Sequence, residues 1–189
     1  MRNTSIDGPA TIREFTHNYY GPKSAWAVLM YMELMAGAIE ASGYYLRFSY
    51  PVDAAFLTPA VLLEAARVLD AGAAAAGSRF ALRLACAKLP VAYVAMRRWE
   101  ELKAWAGNAS VAWPFQATLR EQYDVFVTTF NASGATRLDE NGHDLNWLHA
   151  LLFGSGRGSA GLVGAVGVEM RHCRRSGLRR GGLGGRECE

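Results

Sequence analysis

In several long segments of this sequence, apolar residues recur at the spacing of an α-helix, and glycine or proline bounds each segment. The clearest begins at Thr58-Pro59 and has leucine or alanine at positions 62, 63, 66 and 69 before Gly77 ends it. Threonine can cap a helix, and proline in the first position loses no needed donor. The spacing predicts a helix over 59–76. Because such helices must bury one face against each other, the chain predicts an all-α fold.

The same criteria predict further helices over about 11–20, 23–42, 78–105, 113–131 and 143–153. The 23–42 helix is apolar on much of its circumference, so we expect it to be central. Pro90 is expected to bend the 78–105 helix. The segment 44–57 contains aromatics and Pro51. We expect an ordered connection there, with a two-stranded hairpin as the alternative. The prediction is a bundle of five or six helices around one core.

The composition changes abruptly after Phe153, since eleven glycines mixed with arginine fall between 154 and 189. Such a segment buries too little apolar surface to offset the entropy of ordering it. The sequence therefore predicts a helical domain over 1–154 and a disordered tail over 155–189. An RNA-binding Arg-Gly-Gly arm is the alternative for the tail, but only Arg180-Gly-Gly fits. Translated intron or an altered reading frame explains the composition better.

The charge of the chain is also uneven, because residues 1–154 carry 13 Lys+Arg against 14 Asp+Glu, while 155–189 carry seven Arg and three Glu. A nearly neutral domain argues against nucleic-acid binding. The sequence shows no signal peptide or membrane span, and we expect no membrane partner. Three Asn-x-Ser/Thr triplets, at Asn3, Asn108 and Asn131, favour a secretory history for a parent protein, so the location of the chain itself stays open.

Metal and cofactor chemistry have little support in the sequence. The three cysteines have no metal-ligand spacing, and Cys86 lies among apolar neighbours as a core residue would. His143 and His149 are six apart and face different sides of a helix. Phosphate-binding and hydrolase nucleophile motifs are absent. We expect no metal and no cofactor.

Carboxylates and aromatics are the remaining candidates for chemistry. Two carboxylates suffice for glycoside hydrolysis when a few ångströms separate them, and the candidate groups are Glu100-Glu101, Glu121 with Asp124, and Asp139-Glu140 with Asp144. The first two groups are expected on solvated helix faces. Asp139-Glu140 is expected in a loop beside Arg137, where capping or pairing with that arginine is the preferred interpretation, and no catalytic residue is predicted.

Sugar rings stack on aromatic side chains, and four tyrosines cluster at predicted turns: Tyr19, Tyr20, Tyr44 and Tyr45. Most aromatics of a helical domain belong to its core. We take Tyr19, Tyr20 and Glu140 as possible glycan contacts.

Several segments, read in order, resemble the domain-of-unknown-function family 4838. They are Glu14 to Pro22 before an apolar helix, Phe56-Leu-Thr-Pro59 opening an Ala-rich helix, and Arg79 to Tyr93, which ends in Leu-Pro-Val-Ala-Tyr. Towards the end of the domain, a further set of residues resembles the closing pattern of that family: Phe126, Gly134, Thr136, Glu140, Gly142, Leu145, Trp147 and Leu148. The resemblance covers about residues 13–148.

The resemblance implies the helical C-terminal part of proteins similar to α-glucuronidases and other glycoside hydrolases, where it follows a TIM-barrel domain. Barrel active sites lie at the C-terminal ends of strands, and this chain shows no alternation of strands with helices. The resemblance thus implies a non-catalytic accessory domain whose partner is a catalytic barrel or an oligosaccharide. Three alternatives stay open: a protein-interaction module, an enzyme in its own right that uses Asp139-Glu140 and the aromatics, and part of a glycosidase active-site cleft.

Overall fold

The computed structural model describes residues 7–45, 51–139 and 141–154, and seven α-helices form this part of the chain. In chain order they are α1 (Gly8–Tyr20), α2 (Ala25–Ser42), α3 (Pro59–Ala75), α4 (Ser78–Arg97), α5 (Trp99–Asn108), α6 (Leu119–Ser133) and α7 (Leu145–Phe153). No strand occurs in these ranges, so the all-α prediction is confirmed. None of the seven helices is long and apolar enough to cross a membrane.

Local capping signals set most helix ends. The hydroxyl of Thr58 accepts a hydrogen bond from the Val61 amide, and Pro59 is the first residue of α3. Gly43 and Gly134 end α2 and α6 in the left-handed conformation, at φ 62° and 76°. Only glycine adopts this conformation without steric cost, which is why these helices end where the sequence predicted.

The predicted 78–105 helix is two helices, α4 and α5, which raises the count from six to seven. Pro90 lies inside α4, and the interruption comes at Arg98, whose backbone leaves the helical region at φ −122°, ψ 30°. The Arg98 guanidinium donates hydrogen bonds to the carbonyls of Val52 and Leu57, far away in the sequence. Because these contacts are tertiary, no local pattern marks the break.

The predicted helix start at Trp113-Pro114 is also wrong, since α6 begins at Leu119. Trp113 lies in the connection before it, with its ring 5.0 Å from that of Trp99 and its indole N–H donating to the Gln116 carbonyl. A capping box starts the helix instead, in which Thr118 and Glu121 each bond the other's backbone N–H.

The buried apolar side chains form two clusters rather than one core. The first cluster joins α2, α3, α4, α5 and the 51–58 connection, with Phe56, Leu62, Leu69 and Leu102 fully buried. The second joins α4, α6 and α7 around Met96, Phe126 and Leu148. In the 44–57 connection, the ring of Tyr44 packs 5.2 Å from Phe56. The predicted disordered tail, 155–189, and residues 46–50 of the hairpin alternative lie outside the described residues.

Candidate functional site

An open apolar groove runs between α1 and α2, with a volume of about 390 Å³. We call it the α1–α2 groove, and it is lined by Thr11, Ile12, Phe15, Thr16, Tyr20, Val28 and Met32. Phe15 is 60% exposed, and Ile12 and Met32 are each 44% exposed. Monomeric proteins rarely leave large apolar side chains together at the surface without a use for them. The groove is therefore the main candidate for a binding site.

The sequence of α2 explains why its side of the groove is apolar. The helix is apolar around its circumference, yet only Ala25, Ala27 and Val28 are buried among its residues. The expectation that α2 is central is wrong, because α2 packs at the side of the bundle between α1 and α3. Its remaining apolar side chains, Met32 among them, are left partly or fully accessible.

α1 forms the other wall and is fixed at both ends. Asp7 caps its start by accepting from the Ala10 amide at 3.0 Å. At its end, Arg83 of α4 donates to the Tyr19 carbonyl at 2.6 Å. Between these points, only Thr16 is buried, and its hydroxyl donates to the Ile12 carbonyl. The small buried threonine lets α1 lie close to its neighbours while Ile12 and Phe15 stay accessible.

The predicted sugar contacts Tyr19 and Tyr20 lie at the end of α1, beside the groove. The Tyr19 ring stacks on Phe15 at 5.3 Å, meets Tyr20 edge-on at 4.9 Å and lies 4.4 Å beneath the Arg83 guanidinium. Tyr19 is thus already engaged by its neighbours, and Phe15 presents a more open ring than Tyr19 does. Sequence reasoning did not select Phe15.

Tyr20 lines the groove itself and is half-buried. Burial raises the pKa of its hydroxyl, and the neighbouring Tyr19 and Cys86 add to the shift. The hydroxyl therefore stays protonated at neutral pH. It is a polar group at the rim of an otherwise apolar surface.

Glu140, the third predicted contact, lies outside the described residues. Its neighbours are engaged with one another, because Asp139 pairs with His143 at 2.6 Å and Arg137 donates to the Gly142 carbonyl. Asp139 therefore has a structural role of the kind expected for Asp139-Glu140, but its partner is His143, whose backbone amide it also accepts from, and not Arg137. Burial acts to raise the pKa of Asp139, but hydrogen bonds from His143 outweigh it and leave the pKa lowered.

The other candidate carboxylates mostly have structural partners. Glu101 forms an ion pair with Arg98 at 2.6 Å, and Asp124 lies 3.6 Å from Arg120. Glu121 belongs to the α6 capping box, and Asp144 caps α7 by accepting from the Trp147 amide. Among the described residues, no carboxylate lines the α1–α2 groove, whereas glycoside hydrolysis needs two of them across one cleft.

His143 and His149 have separate surroundings. His143 stacks on Trp147 at 3.8 Å, while the His149 imidazole lies 3.2 Å from Arg120. Within residues 7–45, 51–139 and 141–154, no group of three or more His, Cys, Asp or Glu side chains is placed to hold a metal ion. The described surface offers an apolar groove and an aromatic rim.

Comparison with known proteins adds no relative. No protein-family model matches the chain, and neither a curated protein nor a solved structure matches it.

Proposed function

We propose that this chain is a non-catalytic helical accessory domain, related to those of glycoside hydrolase-like proteins, that docks a helix of a partner protein in its α1–α2 groove. The observation that carries the proposal is the groove, where Ile12, Phe15 and Met32 are accessible beside the half-buried Tyr20. The accessory role and the class of partner rest on the resemblance described above.

The chemistry of the groove favours a helix over a sugar as its main ligand. An amphipathic helix binds by laying its apolar face into an apolar groove, and methionine adapts to irregular partner surfaces. A sugar needs several polar groups that converge on it. The Thr11 and Thr16 hydroxyls already donate to the Asp7 and Ile12 carbonyls, so Tyr20 is the main polar group left in the lining.

A catalytic barrel is a suitable partner because the outer surface of a (β/α)₈ barrel is a ring of amphipathic helices. A helical domain that follows a barrel can lay its groove against one of them. Large accessible side chains such as Phe15 and Met32 would then become buried at the centre of the contact, where binding energy concentrates.

The test uses the purified chain and a separately produced catalytic barrel of a glycoside hydrolase-like protein, made without its own helical region. Titration calorimetry should detect binding, and Phe15→Ser with Met32→Ser should weaken it about tenfold or more. Val125→Ser is the matched control, because Val125 is 46% exposed on α6, outside the groove. Absence of binding, or equal weakening by the control, contradicts the proposal.

Weak oligosaccharide binding is a second candidate, favoured by the exposed Phe15 ring and its neighbour Tyr19 beneath Arg83. Sugar rings stack on such surfaces. In an NMR titration with uronic-acid and neutral oligosaccharides, we expect shifts at the end of α1 that Phe15→Ala and Tyr19→Ala reduce. Shifts confined to other helices would exclude this surface as the glycan site.

The non-catalytic part of the proposal is tested by hydrolysis assays on uronic-acid and neutral glycosides. A lone loop carboxylate lacks the opposed partner that protonates the leaving group or attacks the sugar. We expect no turnover above the buffer blank. Turnover that disappears in a folded Glu140→Gln variant would establish an active-site role instead.

A further inference from the structure

The triplet Asn108-Ala109-Ser110 forms the end of α5. After the last helical residue, Asn108, the Ser110 amide donates to the Gly107 carbonyl at 3.2 Å and the Val111 amide donates to the Ala106 carbonyl at 2.9 Å. These two hydrogen bonds define a Schellman motif, in which Ser110 occupies the position after the cap. That position is usually glycine, because the backbone there is left-handed.

Ser110 adopts this conformation with φ 54°, and it is the one non-glycine residue with positive φ in the described ranges. The helices α2 and α6 place Gly43 and Gly134 in the left-handed conformation at their ends. A serine there brings its Cβ close to the backbone, a cost that glycine avoids. Within the described part of the chain, the Ser110 hydroxyl makes no hydrogen bond that would offset this cost.

We propose that Asn108 is an acceptor site for an N-linked oligosaccharide, and that the Ser110 hydroxyl completes its acceptor motif. The motif Asn-x-Ser/Thr needs a hydroxyl residue two positions after the asparagine. Glycine at 110 would relieve the backbone and delete the site. A left-handed serine whose hydroxyl has no hydrogen-bond partner in the described residues is a reason to look for function.

The surroundings of Asn108 suit a bulky, solvated modification. Gly107, Asn108, Ala109 and Ser110 are all exposed. In the transfer, a new bond joins the Asn108 side-chain nitrogen to the anomeric carbon of the sugar. The bond from that carbon to the pyrophosphate of a lipid-linked donor breaks, the lipid pyrophosphate leaves, and the amide loses one proton to a base of the transferase.

The triplet at Asn131 provides an internal comparison. There the Ser133 hydroxyl donates to the Phe130 carbonyl at 2.6 Å and accepts from the Ala135 amide at 3.2 Å. Gly134 takes the left-handed position that follows. The serine hydroxyl of this triplet therefore has a local structural role, whereas the Ser110 hydroxyl has no hydrogen-bond partner in the described residues and the backbone of Ser110 carries a steric cost. Asn3 lies outside the described residues.

The first test translates the full chain, with a cleavable signal sequence added, in the presence of endoplasmic-reticulum microsomes and a control glycoprotein. A chain carrying Asn3→Gln and Asn131→Gln keeps only the Asn108 site. We expect a mass increase of one glycan that endoglycosidase removes, that Asn108→Gln and Ser110→Gly abolish, and that Ser110→Thr retains. An unmodified Asn108-only chain beside a modified control glycoprotein overturns the proposal.

The second test measures the steric cost in unmodified protein made in bacteria. Ser110→Gly should raise the thermal midpoint by about 2–4 °C. Glycine removes the steric cost of a left-handed residue, and in a domain of this size that gain in stability corresponds to a shift of this magnitude. Ser110→Ala removes the hydroxyl but keeps the Cβ, so it should not raise the midpoint. If Ser110→Gly gives no increase, the serine carries no cost and the reason for assigning the site is lost.

Discussion

Gly72 lies where α3 passes closest to α2. A Cβ built on Gly72 would fall 2.4 Å from the Ala27 Cβ, a distance that real Cβ atoms do not reach. Both residues are buried, and Ala27 is fully enclosed. The helix contact therefore depends on two small residues, one of which has no side chain at all.

We expect Gly72→Ala to destabilise the protein by about 1–3 kcal/mol, because an added methyl group in a packed interface forces the helices apart. Gly37→Ala is the matched control, since Gly37 also lies inside a helix but has open space around it. That control should gain about 0.5–1 kcal/mol from the better helix propensity of alanine. Urea denaturation measures the unfolding free energy of both variants. If both variants gain stability, or both lose it, the packing explanation is contradicted.

At the scale of helices, Arg98 separates α4 from α5 and attaches them to the 51–58 connection. Its side chain is 11% exposed, pairs with Glu101 through two hydrogen bonds and donates to the Leu57 and Val52 carbonyls. A single guanidinium therefore satisfies acceptors on two segments of the chain. Lysine has the charge but lacks the planar set of donors.

Arg98→Lys should cost about 1–3 kcal/mol of unfolding free energy, because it leaves the part-buried Val52 and Leu57 carbonyls short of donors. Arg67 makes the same i,i+3 contact with Glu64 but is 63% exposed. Exposed pairs contribute little, so Arg67→Lys should change stability by less than about 0.5 kcal/mol. Equal losses in the two variants would mean that the Glu101 contact, and not the carbonyl contacts, matters at Arg98.

Hydrogen bonding from Arg98 lowers the pKa of Glu101, against the smaller opposing effect of burial. A lowered pKa means that the stabilisation is present above the ordinary value near 4.5 and is lost as pH falls through the folded-state pKa. Glu101→Gln should therefore lose less stability than the wild type as the pH falls from neutral to acid. The difference should be about 0.5 kcal/mol or less, because the Glu101 side chain is half exposed. Urea denaturation of the variant and the wild type at neutral and at acid pH measures the difference, and equal losses of stability would contradict this account.

Local chemistry accounts for most of what could be predicted about the helices. Thr58-Pro59, Gly43 and Gly134 act through their own backbone and nearest neighbours, so their effects can be read from the sequence. Arg98 acts on Leu57, 41 residues away. The Thr118–Glu121 capping box is a local signal for the start of α6, but Trp113-Pro114 also resembles a helix start. Trp113 does not start the helix, because its ring packs against that of Trp99, a tertiary contact that the sequence does not reveal.

The groove could be predicted only in part. The all-round apolar character of α2 signalled an unusual helix, and Tyr20 was selected because of its position before a turn. Ile12, Phe15 and Met32 could not be selected, because their exposure depends on how α1 lies on α2 and α4. Such packing is decided by the whole bundle.

At the scale of the whole molecule, the described members of both apolar clusters all precede residue 154. We therefore expect deletion of 155–189 to leave the thermal midpoint within a few degrees, because none of these described members is removed. Calorimetry of the full and shortened chains measures the difference. A fall of ten degrees or so, which corresponds to roughly 3 kcal/mol, would show that the removed residues contribute to the core.

The division of the interior into two clusters has a consequence for how the molecule opens. α4 contributes Leu84, Val91 and Ala95 to the first cluster and Ala92 and Met96 to the second. In native-state hydrogen exchange, amides of α6 and α7 should share one opening free energy, and those of α3 should share another. The second half of α4 packs in both clusters, so its amides become accessible only when both clusters open. These amides should therefore exchange last.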